Sequence, residues 1–158
     1  MKHILLTGRV QVGKSTALRK FLKNSGLSCD GVRTYWKDRD TLLIEPFEGG
    51  VSMVAAVTDG GFRKAVPEAF EYGAEIIEKS GKKDAIVLDE LGRFERCSER
   101  FMNAVFEKLQ GEKRVLGVIK KESNHFLDKI RGLPNVIILE VTEENRDEIP
   151  QKIAELMK

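Results

Sequence analysis

The sequence has few cysteines and no long irregular or repetitive stretch. Its 158 residues include two cysteines, Cys29 and Cys97, and four prolines. Two cysteines are too few for a disulfide framework, so we expect two free thiols in a reducing compartment. No internal repeat, linker or low-complexity tract is present. The length suits one compact domain, which we expect to span residues 1–158.

The sequence also has no large excess of positive or negative charge and no long apolar run. The 27 basic and 25 acidic residues are interspersed and leave a net charge of +2, which gives no electrostatic footprint for nucleic acid or an anionic membrane. No apolar run approaches the roughly 18 residues of a membrane helix, and residues 1–7 are too short for a signal segment. We therefore expect a cytoplasmic protein without nucleic-acid or membrane partners. We also expect a monomer.

What is present is an alternation of short apolar strands and amphipathic helices. Strands are predicted at 4–6, 32–36, 41–47, 53–57, 85–88, 115–119 and 136–141, and helices at 15–23, 67–79, 98–109 and 125–130. Thr142 is predicted to cap a last helix, with Glu143 and Glu144 in its first turn. Pro150 conflicts with the interior of that helix, and fits better if it starts or kinks it. The pattern predicts an α/β fold of three layers, a mainly parallel sheet with helices on both faces.

The most specific motif follows the first strand. Residues 8–15 match the phosphate-loop pattern G-x-x-x-x-G-K-S/T without a gap. Glycines allow the backbone N–H groups to wrap a phosphate, and the following helix directs its positive end at the same anion. Lys14 is expected to reach the β- and γ-phosphates, and the Ser15 hydroxyl to bind Mg²⁺. The predicted nucleotide-binding residues are Gly8, Arg9, Val10, Gln11, Val12, Gly13, Lys14, Ser15 and Thr16.

A second acidic motif ends the strand predicted at 85–88. Asp89 follows this strand directly and is expected to hold Mg²⁺ together with Ser15. Glu90 comes next, where a carboxylate can accept the proton of an attacking water, so it is the predicted general base. Lys14 and Glu90 are thus the predicted catalytic residues. The alternative is that both carboxylates simply end a buried strand.

A further cation is expected at the γ-phosphate. The candidates are Arg9, Arg93, Arg96, Arg100, Lys120 and Lys121, of which Lys120 follows a predicted strand at its ligand-facing end. Tyr35 and Trp36 could stack on a base, although aromatic residues in strands are more often core or cross-strand partners. His3 and His125 are too far apart in the sequence to indicate a metal site.

Four stretches of the chain resemble the THEP family of small P-loop nucleoside triphosphatases, which includes the cancer-related nucleoside triphosphatase. They are residues 6–16, 30–34, 87–95 and 141–146, and they occur in the family's order. The most specific is the run Asp-Glu-Leu-Gly followed by Glu95. The resemblance implies a P-loop fold in which strand 115–119 lies between strands 3–7 and 85–89. It also implies hydrolysis of several nucleoside triphosphates to the diphosphate and phosphate, with little base preference.

The chain departs from the family's pattern in three places. Arg9, Val10 and Gln11 stand where relatives commonly have proline and glycine. Phe94 and Arg96 flank Glu95 where the family usually has methionine and leucine. Segment 48–66 is short beside relatives. Two other functions remain open from the residues alone: a kinase acting on a nucleotide or small molecule, and a nucleotide-dependent switch.

Overall fold

The computed structural model describes residues 2–158, which form eight strands and five α-helices. The strands are β1 (His3–Thr7), β2 (Cys29–Trp36), β3 (Thr41–Pro46), β4 (Met53–Asp59), β5 (Phe62–Ala65), β6 (Ala85–Leu91), β7 (Val115–Ile119) and β8 (Val136–Glu140). The helices are α1 (Lys14–Ser25), α2 (Pro67–Lys79), α3 (Glu99–Leu109), α4 (His125–Arg131) and α5 (Ile149–Leu156), with a short 3₁₀ helix at Phe94–Cys97.

All eight strands form one mixed sheet in the order β5-β4-β3-β2-β6-β7-β1-β8. The five strands from β2 to β8 in this order are parallel, and β3, β4 and β5 extend the sheet as antiparallel neighbours of β2. Strand β7 lies between β1 and β6, as the resemblance implied. The carboxyl ends of β1, β6 and β7 therefore meet at one edge of the sheet, where ligands bind in open α/β folds.

Helices cover both faces of the sheet, which confirms the predicted three-layer α/β fold. On one face, α2, α3 and α4 bury an apolar cluster in which Phe70 and Phe101 meet edge to face at 5.5 Å between ring centroids. On the other face, α1 and α5 pack over β1 and β7 through a second cluster that includes Phe21 and Ile153. Because the central parallel strands β1, β6 and β7 are covered on both sides, their sequences are largely continuous apolar runs rather than alternating ones.

Two helices begin at side-chain caps. The Ser98 hydroxyl accepts a hydrogen bond from the Phe101 N–H at the start of α3, and the Asn124 side chain accepts one from the Leu127 N–H at the start of α4. Each cap satisfies a backbone donor that the first helical turn leaves free. The caps fix where the two helices begin after their preceding loops.

The predicted cap of the last helix is wrong. Residues 143–148 form turns, and α5 begins only at Ile149, with Pro150 in its first turn. Proline fits there because first-turn N–H groups have no intrahelical partner. Thr142 instead accepts a hydrogen bond from the Asn145 N–H within the turn, so the same local chemistry that caps helices stabilises a loop here.

Two other elements differ from the sequence-based expectation. Strand β6 continues to Leu91, so Asp89 and Glu90 lie within it rather than after it. The short strand β5 was not predicted, because its four residues include two basic side chains and carry little apolar signal.

Cys29 and Cys97 are both free, as expected. Within residues 2–158 no helix is long and apolar enough to cross a membrane.

Candidate functional site

The phosphate loop joins β1 to α1 and depends on its glycines. Gly8 has φ of 150°, and a Cβ on it would come 2.5 Å from the carbonyl oxygen of Val141. Gly13 has φ of 105° and immediately precedes α1. A side chain at Gly8 would collide with backbone, and both glycines occupy conformations that other residues rarely adopt. The motif spacing therefore corresponds to a backbone shape that its glycines make possible.

The loop residues that depart from the family's pattern are exposed. Gln11 adopts a left-handed conformation with φ of 63°, and Val10 is 75% exposed. The Arg9 guanidinium lies 3.5 Å from a carboxylate oxygen of Glu143, with both side chains mostly exposed. The departures from the family's loop pattern thus change the exposed surface of the loop, where Val10 and Gln11 also line a cavity, while Val12 is buried in the core.

Lys14 is buried at the start of α1, although lysine is almost never buried without partners. Its Nζ donates a hydrogen bond to the Gly8 carbonyl at 2.8 Å and lies 3.5 Å from Glu90 Oε2. Its ammonium group therefore sits between the phosphate loop and the end of β6. The structure brings the two predicted catalytic residues into direct contact.

Ser15 and Asp89 also meet. The Ser15 hydroxyl donates to Asp89 Oδ1 at 2.8 Å, and Asp89 is 3% exposed. Burial raises the pKa of Asp89, while the hydrogen bond from Ser15 acts in the opposite direction. Two adjacent hard oxygen donors beside a phosphate loop suit Mg²⁺, which takes few protein ligands and completes its shell with phosphate oxygens and water. Residues 2–158 contain no cluster of three or more His, Cys, Asp or Glu side chains that could hold a metal ion.

Glu90 faces the same space with a side chain that is 27% exposed. Burial raises the pKa of Glu90, and the ammonium groups of Lys14 and Lys120 oppose this shift. A raised pKa brings a carboxylate closer to the operating pH, as a general base requires. Glu90 thus combines access to the cavity with increased basicity.

A third carboxyl group lies behind Glu90. Glu95 is 2% exposed in the 3₁₀ helix, and its Oε2 accepts a hydrogen bond from the Gly92 N–H. Burial raises its pKa to about 7, and the nearby charge of Glu90 adds to this effect. Glu95 therefore anchors the segment that directly follows Glu90.

Of the six candidate cations, the structure brings Arg93 and Lys120 to the site. Both line the two cavities that open beside Glu90. The other four have different contacts: Arg9 pairs with Glu143, Arg96 donates to the Arg93 carbonyl, Arg100 pairs with Glu78, and Lys121 pairs with Glu140.

The first cavity, of about 580 Å³, extends along the phosphate loop, and we call it the loop-side cavity. It is lined by Val10, Gln11, Gly13, Lys14, Ser15, Thr16, Trp36, Arg63, Glu90, Arg93, Lys120 and Glu122. Its lining contains part of the phosphate loop and both predicted catalytic residues. The cavity therefore borders the predicted phosphate-binding residues.

The second cavity, of about 220 Å³, lies between β6 and β2, and we call it the strand-side cavity. Asp89, Glu95, Arg19 and Arg33 are among its lining residues. Trp36 lines both cavities.

Sequence reasoning did not identify the basic residues Arg19, Arg33 and Arg63. Arg19 lies one helical turn after Ser15, a spacing that places both on one face of α1. Arg33 is aligned with Asp89 across the β2–β6 pairing. The Arg63 guanidinium lies 4.2 Å from the centre of the Trp36 ring. Arg19 has a local signal in its helical spacing, and Arg33 lies in the stretch 30–34 that resembles the family, but the neighbours of Arg33 and Arg63 depend on how the strands pair.

Comparison with known proteins places the chain in a family. The sequence profile of an NTPase family matches residues 50–154. The chain belongs to this family. Nucleoside-triphosphatase THEP1 of Thermotoga maritima is 31% identical to it, over 98% of this chain and 95% of the relative. The THEP1 of Methanosarcina barkeri is 32% identical, over 98% and 96% respectively. The crystal structure of THEP1 from the hyperthermophile Aquifex aeolicus superimposes with a TM-score of 0.83 at 26% identity, covering 100% of this chain and 99% of that one.

The family match and the site overlap in part. The matched range 50–154 contains β6 with Asp89, Glu90 and Glu95, whereas the phosphate loop precedes it. The similarity to the two THEP1 relatives covers 98% of the chain, and so extends over the loop as well. The shared fold confirms the resemblance that the four sequence stretches indicated.

Proposed function

We propose that the chain hydrolyses nucleoside triphosphates to the diphosphate and phosphate, with Mg²⁺ and with little selection among bases. The observation that carries this proposal is the contact between Lys14 and Glu90 at 3.5 Å, beside the Ser15–Asp89 hydrogen bond. A phosphate-binding cation, a pair of metal-ligating oxygens and a carboxylate base thus converge on one cavity. The names of the relatives support the same activity.

The phosphate loop binds the β- and γ-phosphates through its backbone N–H groups and through Lys14. Ser15 and Asp89 would hold Mg²⁺, which when bound neutralises charge on the β- and γ-phosphate oxygens. Lys14 supplies a second positive charge from a buried position, where electrostatic interactions are stronger than in water. These contacts fix the γ-phosphorus next to Glu90.

Glu90 then acts on water. Its carboxylate accepts a proton from the attacking water as the new phosphorus–oxygen bond forms and the bond to the β–γ bridging oxygen breaks. The diphosphate leaves with the bridging oxygen, and the proton remains on Glu90 until it passes to solvent. Arg93 and Lys120 line the same cavity and are placed to balance charge on the γ-phosphate.

The decisive experiment compares Glu90→Gln with the unaltered chain on ATP, GTP, CTP and UTP, with and without Mg²⁺. We expect phosphate release to fall by about 100-fold to 10,000-fold in Glu90→Gln, the range that a general base contributes. Affinity for the triphosphate should change little, because the amide keeps the size of the side chain. The exposed Glu99→Gln serves as the matched control and should behave like the unaltered chain.

Other outcomes would point elsewhere. Unchanged phosphate release in Glu90→Gln would remove Glu90 from the mechanism. Release that requires an added phosphoryl acceptor would favour a kinase, and full release without Mg²⁺ would contradict the role of Ser15 and Asp89. A strong preference for one base would contradict the broad substrate range.

A further inference from the structure

The loop between β8 and α5, residues 141–148, has a rigid first half. The Thr142 N–H donates to Asn145 Oδ1 at 2.8 Å, and the Asn145 N–H donates to Thr142 Oγ1 at 3.2 Å. The Asn145 side-chain amide also donates to the Glu140 carbonyl at 2.9 Å. Reciprocal side-chain bonds of this kind hold a turn in a single shape. The backbone of the next residue, Arg146, is thereby held in place, and its N–H donates to the Thr142 carbonyl at 3.0 Å.

This β8–α5 loop is docked against the phosphate loop. The Val141 N–H donates to the Thr7 carbonyl at 2.7 Å, and the Val141 carbonyl lies so close to Gly8 that a Cβ there would approach it to 2.5 Å. The exposed pair of Arg9 and Glu143 joins the same two loops. The position of the β8–α5 loop relative to a bound phosphate chain is therefore fixed by the fold.

Arg146 lies where the two loops meet. Its Cδ would be 3.7 Å from a Cβ placed on Gly13, the residue that precedes α1. The side chain is exposed, and among residues 2–158 its guanidinium has no ion pair or hydrogen bond. An arginine stem thus packs beside the phosphate loop while its planar head group remains available.

The strand order separates Arg146 from the reacting end of the site. Strands β6, β7, β1 and β8 are consecutive in the sheet, so Glu90 on β6 and Arg146 after β8 lie on opposite sides of β1 and its phosphate loop. Arg146 also does not line the loop-side cavity. A triphosphate whose γ-phosphate lies at Glu90 must extend its nucleoside away from β6, which is the direction of Arg146.

We propose that the β8–α5 loop is the nucleoside-binding surface and that Arg146 stacks its guanidinium on the base. This inference rests on the proposed function and names the contact for its nucleoside part. A guanidinium plane stacks on the π-face that every base presents, so it binds bases with little discrimination. The Asn145 amide oxygen and nitrogen each already bond a backbone group, which leaves this side chain little freedom to turn toward base edges. The same loop therefore accounts for binding without base selection.

The test separates the nucleoside from the phosphates. Binding of ADP, GDP and inorganic pyrophosphate is measured by calorimetry with Mg²⁺ for the unaltered chain, Arg146→Ala, Arg146→Lys and the exposed control Lys152→Ala. Neither ADP nor GDP contains the β–γ bond that hydrolysis breaks. We expect Arg146→Ala to raise the Kd of ADP and of GDP about fivefold each, which corresponds to about 1 kcal/mol. The Kd of pyrophosphate should not change, and Arg146→Lys should resemble Arg146→Ala because lysine keeps the charge without the plane.

Four results would overturn the inference. Equal weakening of pyrophosphate would make Arg146 a phosphate contact, and full recovery in Arg146→Lys would make it a simple point charge. Unchanged ADP and GDP affinities in Arg146→Ala, with turnover still lost in Glu90→Gln, would reject the base contact alone and leave the proposed function standing. Failure of the unaltered chain to bind any of the three ligands, together with no phosphate release from nucleoside triphosphates, would overturn both.

Discussion

The two sides of the candidate site are built in opposite ways. On the phosphate-loop side we propose that the backbone forms the binding surface, and Arg9, Val10 and Gln11 are exposed to solvent. On the β6 side the functional groups are side chains, and Asp89 and Glu95 are almost completely buried. A surface made of backbone N–H groups tolerates changes of side chain as long as the glycines remain. A surface made of buried carboxylates depends on each residue, because an unmatched buried charge costs several kcal/mol.

Lys14 is the exception on the loop side, and its removal should have a larger effect than a change at Glu95 or at Arg9. Its buried ammonium contacts the Gly8 carbonyl and Glu90, so no neighbouring backbone group can replace it. We expect Lys14→Ala to lower kcat/KM for nucleoside triphosphates by about 100-fold to 1000-fold, the loss typical of a missing electrostatic contact to the transition state. Steady-state phosphate release measures this effect.

The matched control for this change is Lys20→Ala, an exposed lysine on the same helix, which should retain normal activity. Thermal unfolding of both variants distinguishes loss of function from loss of fold. Normal turnover by a folded Lys14→Ala would contradict the assignment of the loop as the phosphate site.

The contrast also explains which parts of the site the sequence could predict. The loop from Gly8 to Ser15 was predicted residue by residue, since its function depends on local spacing and on glycines in fixed positions. Asp89 and Glu90 were predicted as a motif after a strand, and the structure places them inside β6. By contrast, the proximity of Arg33 to Asp89 depends on the register of β2 against β6, and register is set by the whole sheet.

The loop after β8 also shows that local sequence patterns predict only part of the structure. Thr142 was expected to cap a helix because threonine followed by acidic residues is a common start signal. The structure uses Thr142 and Asn145 to close a turn instead, and α5 begins at Ile149. Local patterns identify the hydrogen-bonding tendency of a residue, but tertiary packing decides whether a helix follows.

Glu95 gives a pH-dependent test of the buried-carboxylate side. Its pKa is raised by burial to about 7 from an ordinary value of 4.5, so between these pH values the folded chain keeps a proton that the unfolded chain releases. Folding stability therefore falls as the pH rises through this window and stays lower above it. Glu95→Gln cannot titrate, and its amide oxygen can still accept the Gly92 N–H.

We expect the loss of unfolding free energy between pH 5 and pH 8 to be smaller in Glu95→Gln by about 2 kcal/mol. Urea denaturation at the two pH values measures it, with Glu99→Gln as an exposed control. An identical pH dependence in Glu95→Gln and the unaltered chain would show that Glu95 is ionised without penalty. The buried carboxylates of the β6 side would then depend less on their surroundings than the burial of Glu95 indicates.

Arg9→Ala should have the smallest effect and tests the other half of the comparison. Arg9 and Glu143 form an exposed pair at 3.5 Å, and exposed ion pairs contribute about 0–1 kcal/mol to stability. Arg9 does not line the loop-side cavity, and in the proposed mechanism the loop acts through its backbone while other cations contact the γ-phosphate. We therefore expect the kcat/KM of Arg9→Ala to stay within about twofold of the value for the unaltered chain. A tenfold loss of turnover would show that this exposed arginine reaches the phosphates, and the loop side would then depend on its outer side chains as well as its backbone.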